Sequence, residues 1–265
     1  MAEARKDTWS AGQLYEPYVG RWSRAIAKEF LRWLDPAPQA RWLDVGCGTG
    51  ALSETILGQA APRALQGIDA SGAFIEYARA HVADARASFE TGDAQSLPVE
   101  AAAFDYAVCG LVLNFLPAPP RGVAEMKRAV RPDGVVAAYV WDYAGKMELM
   151  RYFWDAAVAL DALAAPLDEG RRFPLCQPGP LAELFAQAGL REVEVRTIDV
   201  PTVFRDFDDY WTPFLGGQGP APGYAMSLPE EQRTRLRDRL RSTLPVREDG
   251  SIALVARAWG VCGRS

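Results

Sequence analysis

The chain has 265 residues, enough for one sizeable core or for a core with a cap. It is 49% hydrophobic and 24% charged with a net charge of −5, an ordinary globular balance that lacks the basic footprint a broad nucleic-acid face needs. Four cysteines without a C-x-x-C pair and a single histidine argue against a zinc site, and no metal is expected.

In chain order, residues 14–34 read as an amphipathic helix, with Trp22, Ile26, Phe30 and Leu34 four apart, ended by Pro36 and Pro38. A first strand is expected at 41–45, followed by a helix-like segment, Leu52 to Leu57. A second strand at 64–69 leads to a helix opened by Ser71 as N-cap. Strands at 87–91 and 104–109 follow. A helix near 121–130 stops before Arg131-Pro132-Asp133-Gly134, which is turn chemistry, and a fifth strand spans 135–141. This βαβα alternation predicts a doubly wound, mostly parallel sheet with helices on both faces.

After Asp142 the pattern changes. A long aromatic helix is predicted at 147–164, then a Pro/Arg-rich connection from Pro166 to Pro180 and a short helix at 181–189. An alternating strand at 191–200, a helix near 228–242 and a last strand at 251–262 complete the reading. The basic run Arg233 to Arg241 follows Glu230-Glu231 and reads as a solvated helix face. No run of eighteen apolar residues offers a membrane span. The first residues, MAEARKDTWSAGQ, lack an apolar signal core, so a cytoplasmic location is expected.

Chemistry concentrates in Leu43-Asp44-Val45-Gly46-Cys47-Gly48-Thr49-Gly50. An apolar run breaks into three alternate glycines and then a helix. Glycine permits a tight turn and lets a ligand approach bare backbone, and a helix N-terminus adds unpaired N–H groups. The stretch also satisfies the dinucleotide pattern G-x-G-x-x-A through Gly46, Gly48 and Ala51, with Asp69 at the distance of a ribose-binding acid, so a nicotinamide cofactor and oxidoreductase chemistry remain open. Against that, Asp44 lies inside the strand, and Asp44, Asp69 and Asp93 end three successive segments. Phosphate oxygens are poorly served by three acids, whereas a sulfonium and an ammonium are well served.

LDVGCGTG (43–50), GIDAS (67–71), TGDAQSLP (91–98), FDYAVCGLVLNFLP (104–117) and VRPDGVVAAYVWD (130–142) occur in one order and spacing. In these the sequence resembles the class I S-adenosylmethionine-dependent methyltransferases, in particular the small-molecule branch of the ubiquinone/menaquinone-biosynthesis type. The resemblance covers roughly residues 41–142, with a weaker likeness at 18–24. It implies an α/β Rossmann-like fold with a seven-stranded sheet whose last strand is antiparallel, an N-terminal helical lid (1–40) and cap insertions near 145–180 and 204–250. It also implies S-adenosylmethionine as cofactor, S-adenosylhomocysteine as product and a small organic methyl acceptor.

By the same resemblance, Asp44, Gly46, Cys47 and Gly48 border the methionine part of the cofactor, and Asp69 with Ala70 the ribose. Asp93 and Ala94 border the adenine, and Cys109 and Gly110 the ammonium and methyl. Tyr18 and Arg21 belong to the lid and contact the methionine carboxylate. Each carries a structural alternative: Asp69 as helix cap, Asp93 as turn former, Cys109 as a small buried residue. Asn114, Asp142 and Tyr143, just past strand ends, are the candidates for a catalytic group, and turn formation is the alternative for Asp142. His81 ends a helix that begins beside the cofactor, and ten residues carry it roughly 15 Å away, so it is expected at the surface. The aromatics Tyr152, Phe153, Trp154, Phe173, Tyr210, Trp211, Phe214 and Tyr224 suggest an apolar or aromatic acceptor, or equally a core of their own. A rival oxidoreductase lacks a Tyr-x-x-x-Lys pair. A cofactor-binding protein without turnover is the other alternative, because fold does not dictate function.

Overall fold

The structure, a computed structural model, describes residues 20–217 and 219–265, the Arg21 side chain excepted. The chain divides into two compact units. One comprises residues 22–141, 175–198 and 258–265; the other is built chiefly of 142–174 and 199–257.

The first unit carries the sheet, apart from residues 199–204 and 252–257 of its last two strands, which belong to the second. Helix α1 (Arg21–Leu34) precedes β1 (Arg41–Val45), α2 (Ala51–Gln59), β2 (Ala64–Asp69), α3 (Gly72–His81), β3 (Ala87–Thr91), β4 (Phe104–Gly110), α4 (Pro119–Ala129) and β5 (Val130–Trp141). Helix α7 (Pro178–Gln187) and strands β6 (Arg191–Phe204) and β7 (Ile252–Arg264) come later in the chain. The strand order is β3-β2-β1-β4-β5-β7-β6. β1 to β5 pair in parallel, and β7 pairs antiparallel with β5. Central strands flanked on both faces become nearly continuous apolar runs: Trp42, Leu43, Ala107, Val108, Val136 and Ala137 are fully buried. Residues 22–34 pack into this unit, and Phe30 lies 4.7 Å from the Tyr139 ring.

The expected turn at Arg131–Gly134 lies inside the span of β5 as an irregularity. Phe104 pairs with Val130 and Tyr106 with Val135, so residues 131–134 loop out of the ladder. Asp133 adopts a left-handed φ of 62° there.

The second unit holds α5 (Glu148–Leu160), α6 (Glu169–Arg172), α8 (Phe207–Trp211), α9 (Pro220–Ser227) and α10 (Glu230–Thr243), with 3₁₀ turns at Ala162–Leu167 and Thr212–Gly216. The helix predicted over 147–164 thus ends at Leu160. Its successor turn is capped by the Asp161 side chain, which accepts from Leu163 N–H at 2.9 Å. Phe153, Trp154, Tyr210, Trp211, Phe214 and Tyr224 are buried in this unit's own core, while Tyr152 and Phe173 are part-exposed: Phe153 stacks on Phe214 at 4.5 Å, and Trp154 lies 5.5 Å from Tyr224. The buried Tyr210 hydroxyl donates to the Leu149 carbonyl at 2.9 Å. Arg151 bridges to both oxygens of the buried Asp168, at 3.0 and 2.7 Å.

Candidate functional site

In the order β3-β2-β1-β4-β5, the chain leaves β1 in one direction and returns to its other side at β4. Ligands of open α/β sheets bind beyond the carboxyl ends of the strands at such a reversal. The glycine turn lies there.

Gly46, Gly48 and Gly50 all have left-handed φ, at 74°, 53° and 93°. They differ in surroundings. A Cβ on Gly46 would lie 2.7 Å from Val112 Cγ1, and one on Gly50 would lie 2.8 Å from Val82 Cγ2. A Cβ on Gly48 would meet nothing within 4 Å. Packing therefore closes the outer two glycines, while the middle one presents bare backbone to open space.

The N–H groups of this turn are engaged within the protein. Gly46 and Cys47 both donate to the Ile68 carbonyl, at 2.7 and 3.0 Å. Gly48 donates to Asp69 Oδ2 at 3.0 Å, and Ser71 N–H donates to Asp69 Oδ1 at 2.8 Å. The Asp69 carboxylate, half-buried at the end of β2, is thus held from both sides, while burial pushes its pKa up. Ser71, not Asp69, caps α3: its Oγ accepts from Phe74 N–H at 3.4 Å. Ala70 is exposed beside it.

Asp44 is 1% exposed, and Ser53 Oγ donates to its Oδ2 at 2.7 Å. Desolvation raises its pKa to about 7; the Ser53 bond opposes that shift, and the Asp69 charge adds to it. Ser53 was not singled out from the sequence. It is a small polar residue on the buried face of α2, and no spacing in the sequence marks it. Burial, reinforced by Asp44 and Asp69, holds the Cys47 thiol far above the ordinary range. Burial likewise pushes the Cys109 thiol to about 12, so neither cysteine supplies a thiolate.

Asp93 is exposed and serves its turn, with Oδ1 accepting from Gln95 N–H at 2.9 Å and its carbonyl from Ser96 N–H at 3.0 Å. Ala94 is buried. Gly110 ends β4 against Tyr139, whose hydroxyl would lie 2.6 Å from a Cβ there. Leu111 follows in a left-handed conformation, φ 63°, unusual for a branched residue. Asn114 stands in the 3₁₀ turn Leu113–Phe115 just beyond.

Asp142 and Tyr143 belong to the second unit. Asp142 organises a turn: its Oδ2 accepts from Lys146 N–H at 2.9 Å, and its carbonyl from Gly145 and Met147 N–H. Tyr143 is buried 5.5 Å from the Phe173 ring. His81 is exposed, with Nδ1 2.8 Å from the Tyr77 carbonyl and its ring stacked on Tyr77. Tyr18 and the Arg21 side chain lie outside the described residues. Among the described residues no helix is long and apolar enough to cross a membrane, and no group of three or more His, Cys, Asp or Glu is placed to hold a metal ion.

Comparison with known proteins identifies the family. The family profile described as "Methyltransferase domain" matches residues 43–138. The chain is 30% identical over 173 residues to a ubiquinone biosynthesis O-methyltransferase of Thiobacillus denitrificans, covering 62% of this chain and 72% of that one. It is also 30% identical over 190 residues to a demethylmenaquinone methyltransferase of Desulfitobacterium hafniense, covering 64% and 74%. Among solved structures, the YcgJ protein of Bacillus subtilis matches 91% of this chain and 99% of its own with a TM-score of 0.59 at 16% identity, a likeness of fold. With the glycine turn, the strand-end acids and the strand order in place, the chain belongs to the class I S-adenosylmethionine-dependent methyltransferases, on the branch of the ubiquinone and menaquinone biosynthesis enzymes.

Proposed function

We propose that S-adenosylmethionine lies across the carboxyl ends of β1, β2 and β4 and that the methyl acceptor is a small hydroxylated molecule with an apolar or aromatic body. Asp69 binds the ribose hydroxyls, with Ala70 beside it. Asp93 and Ala94 border the adenine. Asp44, Gly46, Cys47, Gly48, Cys109 and Gly110 surround the methionine end, and Tyr18 and Arg21 contact its carboxylate.

The observation that carries the cofactor placement is the Asp69 carboxylate. Two backbone N–H groups orient it and occupy one lone pair on each oxygen, so acceptor capacity remains for two hydroxyls. The residues fit the cofactor's charge as well. The turn N–H groups of Gly46, Cys47 and Gly48 are already engaged, so they do not form a phosphate cradle. Burial disfavours the ionised forms of Asp44 and Asp69, and a cation placed beside them would restore those forms.

When bound, S-adenosylmethionine supplies a methyl already activated on a sulfonium sulfur. The protein's part is alignment and exclusion of water, which supplies about 7–11 kcal/mol in favourable intramolecular cases. The buried cysteines hold their protons and stay out of the chemistry. Transfer to an oxygen would form one carbon–oxygen bond, break the cofactor's carbon–sulfur bond to leave S-adenosylhomocysteine, and release the hydroxyl proton, which would reach solvent when the site opens. An oxygen acceptor is supported by the name of the Thiobacillus relative, and an apolar body by the run Leu111-Val112-Leu113 beyond β4.

The test is incubation with S-adenosylmethionine and catechol, the simplest ortho-diphenol, alongside amine and thiol acceptors. The expected products are monomethylated catechol and S-adenosylhomocysteine in equal amounts. Methylation of amines or thiols alone overturns the oxygen assignment.

A further inference from the structure

Within Leu111-Val112-Leu113-Asn114-Phe115-Leu116 only Asn114 has a polar side chain. Its Oδ1 and Nδ2 are both out of contact with solvent and have no hydrogen-bond partner among the described residues. A carboxamide in which neither end is satisfied is rare in a folded protein, and a leucine of similar size would be cheaper in this apolar run. The backbone that carries the amide is fixed. Leu111 N–H donates to the Tyr139 carbonyl at 2.8 Å while its φ stands at 63°. Val112 fills the space in front of Gly46, and Phe115 N–H closes the 3₁₀ turn onto the Val112 carbonyl at 2.8 Å. Strain of this kind persists where the surroundings over-determine it, and such places cluster at ligand sites.

We infer that Asn114 is the residue that positions the methyl acceptor, its carboxamide hydrogen-bonding a hydroxyl group of that molecule; this rests on the proposed oxygen acceptor. The amide is neutral and offers one acceptor oxygen and two donor hydrogens. It suits a neutral hydroxyl, whereas the charged ends of the cofactor are matched by charged groups. Oδ1 accepts the hydroxyl hydrogen, or Nδ2 donates to the oxygen once that proton has left. The amide takes up no proton itself, so it orients the nucleophile and is not its base.

The test compares wild type, Asn114→Leu and the isosteric Asn114→Asp in the full chain by three readouts. These are the unfolding temperature without ligand, calorimetric affinity for S-adenosylhomocysteine, and kcat/KM for catechol with S-adenosylmethionine. Asn114→Leu is expected to unfold at a temperature equal to or above wild type, to bind S-adenosylhomocysteine within twofold of it, and to lose at least tenfold in kcat/KM. Asn114→Asp, which keeps an acceptor and loses the donors, is expected to fall between the two in kcat/KM. An unfolding temperature lowered by several degrees in Asn114→Leu would mark the amide as structural and overturn the inference. A tenfold loss of S-adenosylhomocysteine affinity would make the cofactor its ligand, with the same consequence. Undiminished catechol turnover in Asn114→Leu would also overturn it. If wild type binds S-adenosylhomocysteine but methylates only amines or thiols, the oxygen-acceptor reading fails, and the inference built on it falls even with the first two readouts as expected.

Discussion

Ser53 Oγ donates to Asp44 Oδ2 at 2.7 Å inside the sheet unit, where Asp44 is 1% exposed. The bond favours the carboxylate but does not offset burial, and the folded-state pKa stands at about 7 against an ordinary 3.8. The folded protein therefore binds this proton more tightly than the unfolded chain. The stabilisation is fully present below about pH 4, declines as pH rises through about 7, and is level above that. Asp44→Asn should remove this slope, so that the variant gains stability relative to wild type between pH 5 and 7 by a few kcal/mol. Urea unfolding of both proteins across that range measures it. A difference independent of pH would mean that Asp44 is ionised throughout.

Gly46 and Gly48 share a left-handed backbone but not a neighbourhood, and their substitutions should separate folding from binding. Gly46→Ala meets Val112 at 2.7 Å on top of its unfavourable φ, and should cost about 3 kcal/mol. Gly46→Ala combined with Val112→Ala should be less damaging than the sum of the two single changes, because the two Cγ contacts go and only the Val112 Cβ, 2.9 Å away, remains to be relieved. Gly48→Ala has open space around it and should cost only about 1–2 kcal/mol of backbone strain, yet weaken S-adenosylhomocysteine binding at least tenfold. Chemical denaturation and calorimetry on Gly46→Ala, Val112→Ala, their combination and Gly48→Ala check these expectations.

In the second unit, Arg151 holds the 7%-exposed side chain of Asp168 through two bonds. Arg151→Met leaves that carboxylate buried without its cation and should destabilise by about 3–5 kcal/mol. A loss below 1 kcal/mol in urea unfolding would show that water reaches Asp168.

The sheet was legible because its signals are local. The glycine turn, the apolar strands and the Ser71 cap each write a short pattern, and β1, β2 and β3 fall where those patterns lie. The cap reading of Asp69 gives way to Ser71 because the cap geometry needs an oxygen three residues before the receiving N–H. What eluded the sequence depends on distant partners. Residues 131–134 carry genuine turn chemistry, but β4 pairs with Val130 before them and Val135 after them, and the turn becomes a bulge. Strand β6 runs on to Phe204, past Pro201, beyond the 191–200 stretch whose alternation marks it in the sequence. Ser53 as partner of Asp44, Val112 as the wall before Gly46, and the unsatisfied amide of Asn114 are facts of packing that no spacing announces.

The most direct test of the account is calorimetric titration of S-adenosylhomocysteine, with NADH in parallel, into wild type, Asp69→Ala and His81→Ala. The account predicts one S-adenosylhomocysteine per chain and no NADH binding for wild type, a loss of at least tenfold in affinity for Asp69→Ala, and no change for the exposed His81→Ala. Binding of NADH in place of S-adenosylhomocysteine, or a loss of binding on His81→Ala with Asp69→Ala unaffected, would contradict it.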